Sequence, residues 1–237
     1  MKFSELEYQR PDLDLLKEDF FNQISLIEKA EEAEVALKAT KHIQEIQNTL
    51  GTLSTLVSIR NSINTKDSFY EEETAFWDEH FPIIGEWDTA YYRAVLGSKW
   101  RSELENYLPE TFFPMAENSL KVFSPEIIPL LQQENKLSTE YSKLQASAEI
   151  EFQGQTYNLP GMAKFAQDPD REVRRQASEL VSAFYNDHEA EFDRIYDQLV
   201  KVRDQIAKTL GFKDFVEVGY LRMNRLDYNR QQVEVYR

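Results

Sequence analysis

The stretch spanning residues 168–211, DPDREVRRQASELVSAFYNDHEAEFDRIYDQLVKVRDQIAKTLG, decides the fold class. Val173, Ala177, Leu180, Phe184, His188, Phe192, Ile195, Leu199, Val202 and Ile206 recur in it at three- and four-residue steps. That spacing lines apolar side chains along one face of an α-helix. Asp168-Pro169-Asp170 is a helix start and Gly211 a natural C-cap. The pattern predicts one helix of about 40 residues, ~60 Å long, with room for a kink. Beyond Gly211, further helices are predicted from Phe212 to Met223 and from Tyr228 to Arg237.

Working upstream, Glu149-Ile150-Glu151-Phe152-Gln153-Gly154-Gln155-Thr156-Tyr157-Asn158-Leu159 alternates around Gly154 and reads as a short β-hairpin. A lone hairpin is marginal in water, so it must pack on helices. Ser124-Pro125-Glu126 is a helix start with Ser at the N-cap, and that helix is expected to reach Ala148. Leu13, Leu16, Phe20, Ile24 and Ile27 form another helical face, and helix propensity carries on through Ile43, Ile46 and Leu50. Gly51 is a candidate break before residues 53–63. Asn64-Thr65-Lys66-Asp67-Ser68 reads as a turn, with Ser68 and Glu71 spaced as a capping box. Residues 69–97 are helical in pattern, with Pro82 and Gly85 marking a break or kink. The predicted fold is all-α, mainly long helices with one hairpin near 149–159, and residues 1–237 read as a single helical region.

Composition agrees. Seven Gly and eight Pro in 237 residues leave too few turns for an all-β fold. A 41% hydrophobic share with 13% aromatics argues against disorder. With no cysteine there is no disulfide framework, thiolate zinc site or thiol nucleophile. A formal charge of -15 opposes binding to a phosphate backbone, so no nucleic-acid partner is expected. No apolar run approaches the ~20 residues that span a bilayer, and the first residues lack a signal-peptide hydrophobic region. No membrane partner is expected, and the expected location is the cytoplasm. A compact chain of 27.9 kDa should expose roughly 11,000 Å² of surface.

Residue chemistry alone yields no catalytic centre. His188-Glu189-Ala190-Glu191-Phe192 begins like the zinc-peptidase motif HExxH, but Phe192 stands where the second His belongs. His188 therefore reads as a helix-face residue. Glu73, Trp77 and His80 share a face that allows a carboxylate–imidazole contact, although the acidic run Glu71-Glu72-Glu73 reads first as solvated. His42 reads as surface. No Glu precedes a His by three residues as a helical di-iron site requires, and no GxSxG, GxGxxG or GxxxxGK[ST] occurs. Phe112-Phe113, Phe165 and Phe184-Tyr185 read as core, and Arg171, Arg174 and Arg175 as helix-end partners of Asp168 and Asp170.

Several segments taken together resemble the N-terminal half of the oligoendopeptidase F family, zinc metallopeptidases related to thimet oligopeptidase. They are residues 58–67 (SIRNSINTKD) with Tyr70 and Glu73; Glu134-Asn135-Lys136-Leu137 with Tyr141 and Leu144; Phe152-Gln153-Gly154; Asp170-Arg171-Glu172-Val173-Arg174; residues 196–203 (YDQLVKVR); and Gly211-Phe212-Lys213-Asp214-Phe215 through Gly219-Tyr220-Leu221-Arg222-Met223. The resemblance implies the helical N-terminal lobe of a zincin-type, two-lobed oligopeptidase enclosing a channel that admits short peptides. In the family, HExxH and a later Glu bind zinc, which polarises the scissile carbonyl and activates water. That apparatus lies in the C-terminal half.

No HExxH occurs between Met1 and Arg237. No catalytic, cofactor-binding or metal residue is therefore carried over, and this chain is expected to bind no zinc itself. The expected partners are short peptide substrates of the full-length enzyme and the C-terminal half of the same protein. The chain stops inside an amphipathic stretch without a closing cap, as a truncated or nicked product would. It is expected to form a channel wall, to be inactive alone and to expose apolar surface near its C-terminus where the other half packs. The rival expectation is a non-catalytic helical scaffold that holds a peptide or protein along acidic helix faces and the hairpin edge.

Overall fold

A computed structural model of the chain describes residues 3–237, apart from the side chain of Ser4. Eleven α-helices and a two-stranded hairpin are present among the described residues, so the all-α expectation holds. Two compact units divide the chain: one ends at Gln132 and takes in Asp204–Arg237, and the other is Gln133–Arg203. No helix is long and apolar enough to cross a membrane among the described residues.

In the first unit, α1 (Leu13–Lys29), α2 (Ala33–Ile63) and α3 (Ser68–Leu96) pack on one another. Sequence pattern alone carries one helix from α1 into α2; instead the chain leaves helical geometry at Ala30. One straight helix would hold Phe20, Ile24 and Ile27 about 35 Å along its axis from Ile43, Ile46 and Leu50. Folding back buries both groups in one core with Trp77, Ile84, Trp87 and Tyr91. The Trp100 indole donates to the Ala30 carbonyl at that corner, at 3.0 Å.

Neither expected break interrupts a helix. α2 runs through Gly51 and α3 through Pro82 and Gly85. A Cβ on Gly85 would lie 3.1 Å from a ring carbon of Phe123, so this glycine serves close packing. A Cβ on Gly51 would meet nothing within 4 Å. Gly51→Ala is therefore expected to stabilise the chain by about 0.5–1 kcal/mol. A lowered midpoint in urea unfolding would contradict that. The cap of α3 also differs from expectation: Asp67, one residue before Ser68, accepts from the Phe69 and Tyr70 amides.

Helices α4 (Arg101–Leu104) and α5 (Phe112–Lys121) pack against α2 and α3 respectively. After Ser124 the chain makes a 3₁₀ turn, Pro125–Ile127, before α6 (Ile128–Ala146), and the Ser124 hydroxyl makes no cap bond.

In the second unit, β1 (Ile150–Phe152) and β2 (Gln155–Tyr157) pair antiparallel with Phe152 opposite Gln155. Gln153 and Gly154 both have positive φ, 50° and 78°, the geometry of a two-residue type I′ turn. Ile150 and Phe152 pack with Met162 of α7 (Leu159–Met162), Phe165, and Ala177 of α8 (Arg171–Asp187). That supplies the helical support the hairpin needs. Asp170 caps α8 by accepting from the Glu172 amide at 2.8 Å.

The predicted 40-residue helix is two. After α8 the chain breaks at His188, and α9 (Glu189–Thr209) follows. The His188 Nδ1 hydrogen-bonds the Phe184 carbonyl at 2.8 Å, the acceptor its own backbone amide would use in a continuous helix. That amide turns to the Asn186 carbonyl instead. Gly211, with φ 85°, then closes α9, and the Phe212 amide bonds the Ala207 carbonyl at 2.9 Å.

Candidate functional site

One candidate recognition surface lies at the C-terminal end of the first unit. Asp214 caps α10 (Phe215–Arg222) through the Val216 amide at 3.0 Å. The turn after α10 places Asn224 at φ 52° and bonds the Arg225 amide to the Tyr220 carbonyl at 3.1 Å. Asn229 and Gln232 cap each other's backbone and start α11 (Arg230–Tyr236). These turns enclose a cleft of about 470 Å³.

Lys121, at the end of α5, enters the lining with Lys213, Arg225 and Arg230, against only Asp214 and Glu217. An island of net positive charge thus sits in a chain of charge -15. Tyr220 and Tyr228 meet edge to face at 6.4 Å, and Arg225 lies over Tyr228 at 5.2 Å. Arg230 reaches Asp214 at 3.8 Å and Glu234 at 3.1 Å. Beside the cleft, Met223 is 57% exposed, Val235 90% and Tyr236 91%. The expected apolar surface near the C-terminus is present. Such a surface, basic at its centre and apolar at its edge, can dock a folded partner or hold acidic groups; it carries no nucleophile–base pair.

A second constellation anchors the N-terminal segment. Glu73, only 4% exposed, takes two donors from Arg10, at 2.6 Å from Nη2 and 3.0 Å from Nε, and a third from the Tyr8 hydroxyl. The Arg10 hydrogen bonds hold the Glu73 carboxyl below the usual glutamate range against the opposing effect of desolvation, and the Tyr8 bond helps. Burial first, and then the Glu73 carboxylate, raise the Tyr8 hydroxyl. Arg60 donates to the Tyr70 hydroxyl at 2.7 Å and to the Leu6 carbonyl. The expectation of a solvated Glu73 is therefore corrected: its neighbours Glu71 and Glu72 are exposed, and it is not. Nor does it reach His80, whose Nδ1 bonds the Phe76 carbonyl at 2.8 Å while its ring stacks on Phe76.

The family model for the Peptidase M3 N-terminal domain matches residues 3–123. The chain belongs to the peptidase M3 family. Its solved relatives include a protein of Bacillus anthracis strain Ames assigned as an oligoendopeptidase F, 44% identical, with a TM-score of 0.95 over 100% of this chain. PZ peptidase A, solved with an inhibitor, is 45% identical with a TM-score of 0.95 over 99% of this chain. The chain spans only 43% and 42% of those two relatives. No curated protein matches significantly.

As an M3 N-terminal region, the chain uses several of the residues that carry the resemblance for its own architecture. Arg60, Tyr70 and Glu73 pin the N-terminal segment; Glu134, 4% exposed, binds Arg203 at 2.7 Å. Arg174 donates to the Asp168 and Pro169 carbonyls, whereas Arg175 pairs with Glu172 and Glu179 rather than with Asp168 or Asp170. Phe113 and Phe165 are buried, but Tyr185 is 37% exposed, so that member of the aromatic set is not core.

The family's zinc does not fit this chain. Its three histidines lie on separate elements, with one ring nitrogen of each engaged: His42 Nε2 with Asp19 at 2.7 Å, His80 with Phe76 and His188 with Phe184. Among the described residues no three His, Asp or Glu side chains converge as a metal site.

Proposed function

We propose that this chain is the N-terminal part of a zinc metallo-oligopeptidase that hydrolyses short peptides, that it lines the substrate channel, and that it is inactive without a C-terminal catalytic half. Zinc and the chemical step belong to that half, and the whole works in the cytoplasm on peptides, without nucleic-acid or membrane partners. The carrying observation is the match at a TM-score of 0.95 over 100% of this chain but only 43% of its relative. The rest of that relative's length would supply the surface against which this region packs.

The basic cleft and its apolar rim are the surface we assign to contact with that half.

The test is complementation. The chain is mixed with the separately produced remainder of a matching oligoendopeptidase F and assayed on a quenched fluorescent short peptide. Neither half alone should cleave; the mixture should, and zinc chelation should abolish the gain. A folded, associated pair without activity would sink the proposal.

A further inference from the structure

The second unit carries a groove that the peptidase reading does not use. It has a volume of about 350 Å³ and opens where α8 gives way to α9. Phe192 lines it, with Tyr141 of α6 edge-on at 5.5 Å and Tyr185 of α8 at 5.3 Å. Tyr196, one turn further along α9, is 65% exposed. Glu189 and Asp193, exposed and spaced four residues apart, complete one wall, and no lining residue is basic.

Each feature points to the same ligand chemistry. Aromatic faces carry a negative quadrupole that attracts cations, arginine more often than lysine. A planar guanidinium also stacks on such rings and pairs with carboxylates through its fork of donors. Tyr185 and Asn186 lie in the last turn of α8, at the negative end of that helix's dipole. Glu189 offsets the positive end of α9, leaving Asp193 to face a ligand. Arg194, the residue after Asp193, is engaged by Glu140 and by Gln198 at 3.2 Å. A volume of about 350 Å³ suits one side chain.

We propose that this groove binds the arginine side chain of a peptide, clamped between the Tyr185 and Tyr196 rings and the Asp193 carboxylate. The choice of a peptide as the source of the guanidinium rests on the oligopeptidase reading; the cation preference rests on the groove alone.

Binding to the isolated chain tests it without any peptidase assay, so its outcome is separate from complementation. Acetyl-Gly-Arg-Gly-amide is titrated by calorimetry and by NMR of the tyrosine rings, beside its neutral citrulline counterpart. Saturable one-to-one binding is expected for the arginine peptide, at least about fivefold tighter than for citrulline and weakening with salt. Tyr196→Ala and Asp193→Asn, both at exposed positions, are each expected to weaken it about two- to fivefold. Equal binding of the citrulline peptide, unchanged affinity in both folded variants, or no saturation would overturn the proposal. Agmatine binding as tightly as the peptide would overturn the assignment to a peptide.

Discussion

Replacing Glu73 with alanine should destabilise the first unit by about 2–4 kcal/mol, read as a lower midpoint in urea or thermal unfolding. The carboxylate is almost wholly buried and receives the Tyr8 hydroxyl and the Arg10 guanidinium. Removing it leaves two donors without their acceptor. The Arg10 side chain is 49% exposed and can rehydrate, so the loss falls below that of a fully buried pair. Glu73→Gln keeps an acceptor and should cost less than half as much. The contribution also has a definite pH dependence. Because the folded-state pKa of Glu73 is lowered, chiefly by Arg10, its stabilisation is fully present above the unfolded value of about 4.3 and is lost as pH falls through the folded value. The stability gap between the parent chain and Glu73→Gln should therefore narrow below about pH 4. A gap that widened there would show that the pair does not act through the ionised carboxylate.

Phe20→Ala should have an equal or larger effect, about 3–5 kcal/mol. Phe20 is fully buried, with its ring 5.8 Å from Trp87 and 6.3 Å from Tyr91. It stands where α1, α2 and α3 share a core, so neighbouring backbone cannot collapse readily into the space left. Phe20→Leu should recover much of the loss by filling part of that cavity. A Phe20→Ala chain that kept its unfolding midpoint within 1 °C would show that this core is not what holds the three helices together. At this chain length each kcal/mol is worth roughly 2–4 °C.

These two sites mark the reach of sequence reasoning. Phe20 was legible as core because it belongs to a local three/four rhythm with Leu16 and Ile24. Glu73 was not, because the acidic run around it looks solvated and its partners stand 63 and 65 residues away. A signal did exist: Glu73 is in phase with Trp77, Ile84, Trp87 and Tyr91, the buried side of α3. The hairpin turn at Gln153-Gly154 and the caps at Asp170 and Gly211 were legible for the same local reason. The break at His188 was hidden because the apolar period continues through it.

The candidate surfaces were less legible still. The basic cleft joins Lys121 to residues 212–231, and the aromatic groove joins Tyr141 to residues 185–196. No periodicity links such distant segments. Short-range preference and patterning act within a turn or two of helix, and they determined the all-α class, several helix starts and the supported hairpin. The resemblance to an oligopeptidase N-terminal half was likewise readable from ordered segments. What only the tertiary structure decided was where the chain folds back at Ala30, which acid in an exposed-looking run is buried, and which remote side chains share a surface. Those outcomes depend on burial and on long-range hydrogen-bond partners, which become defined only when the helices pack.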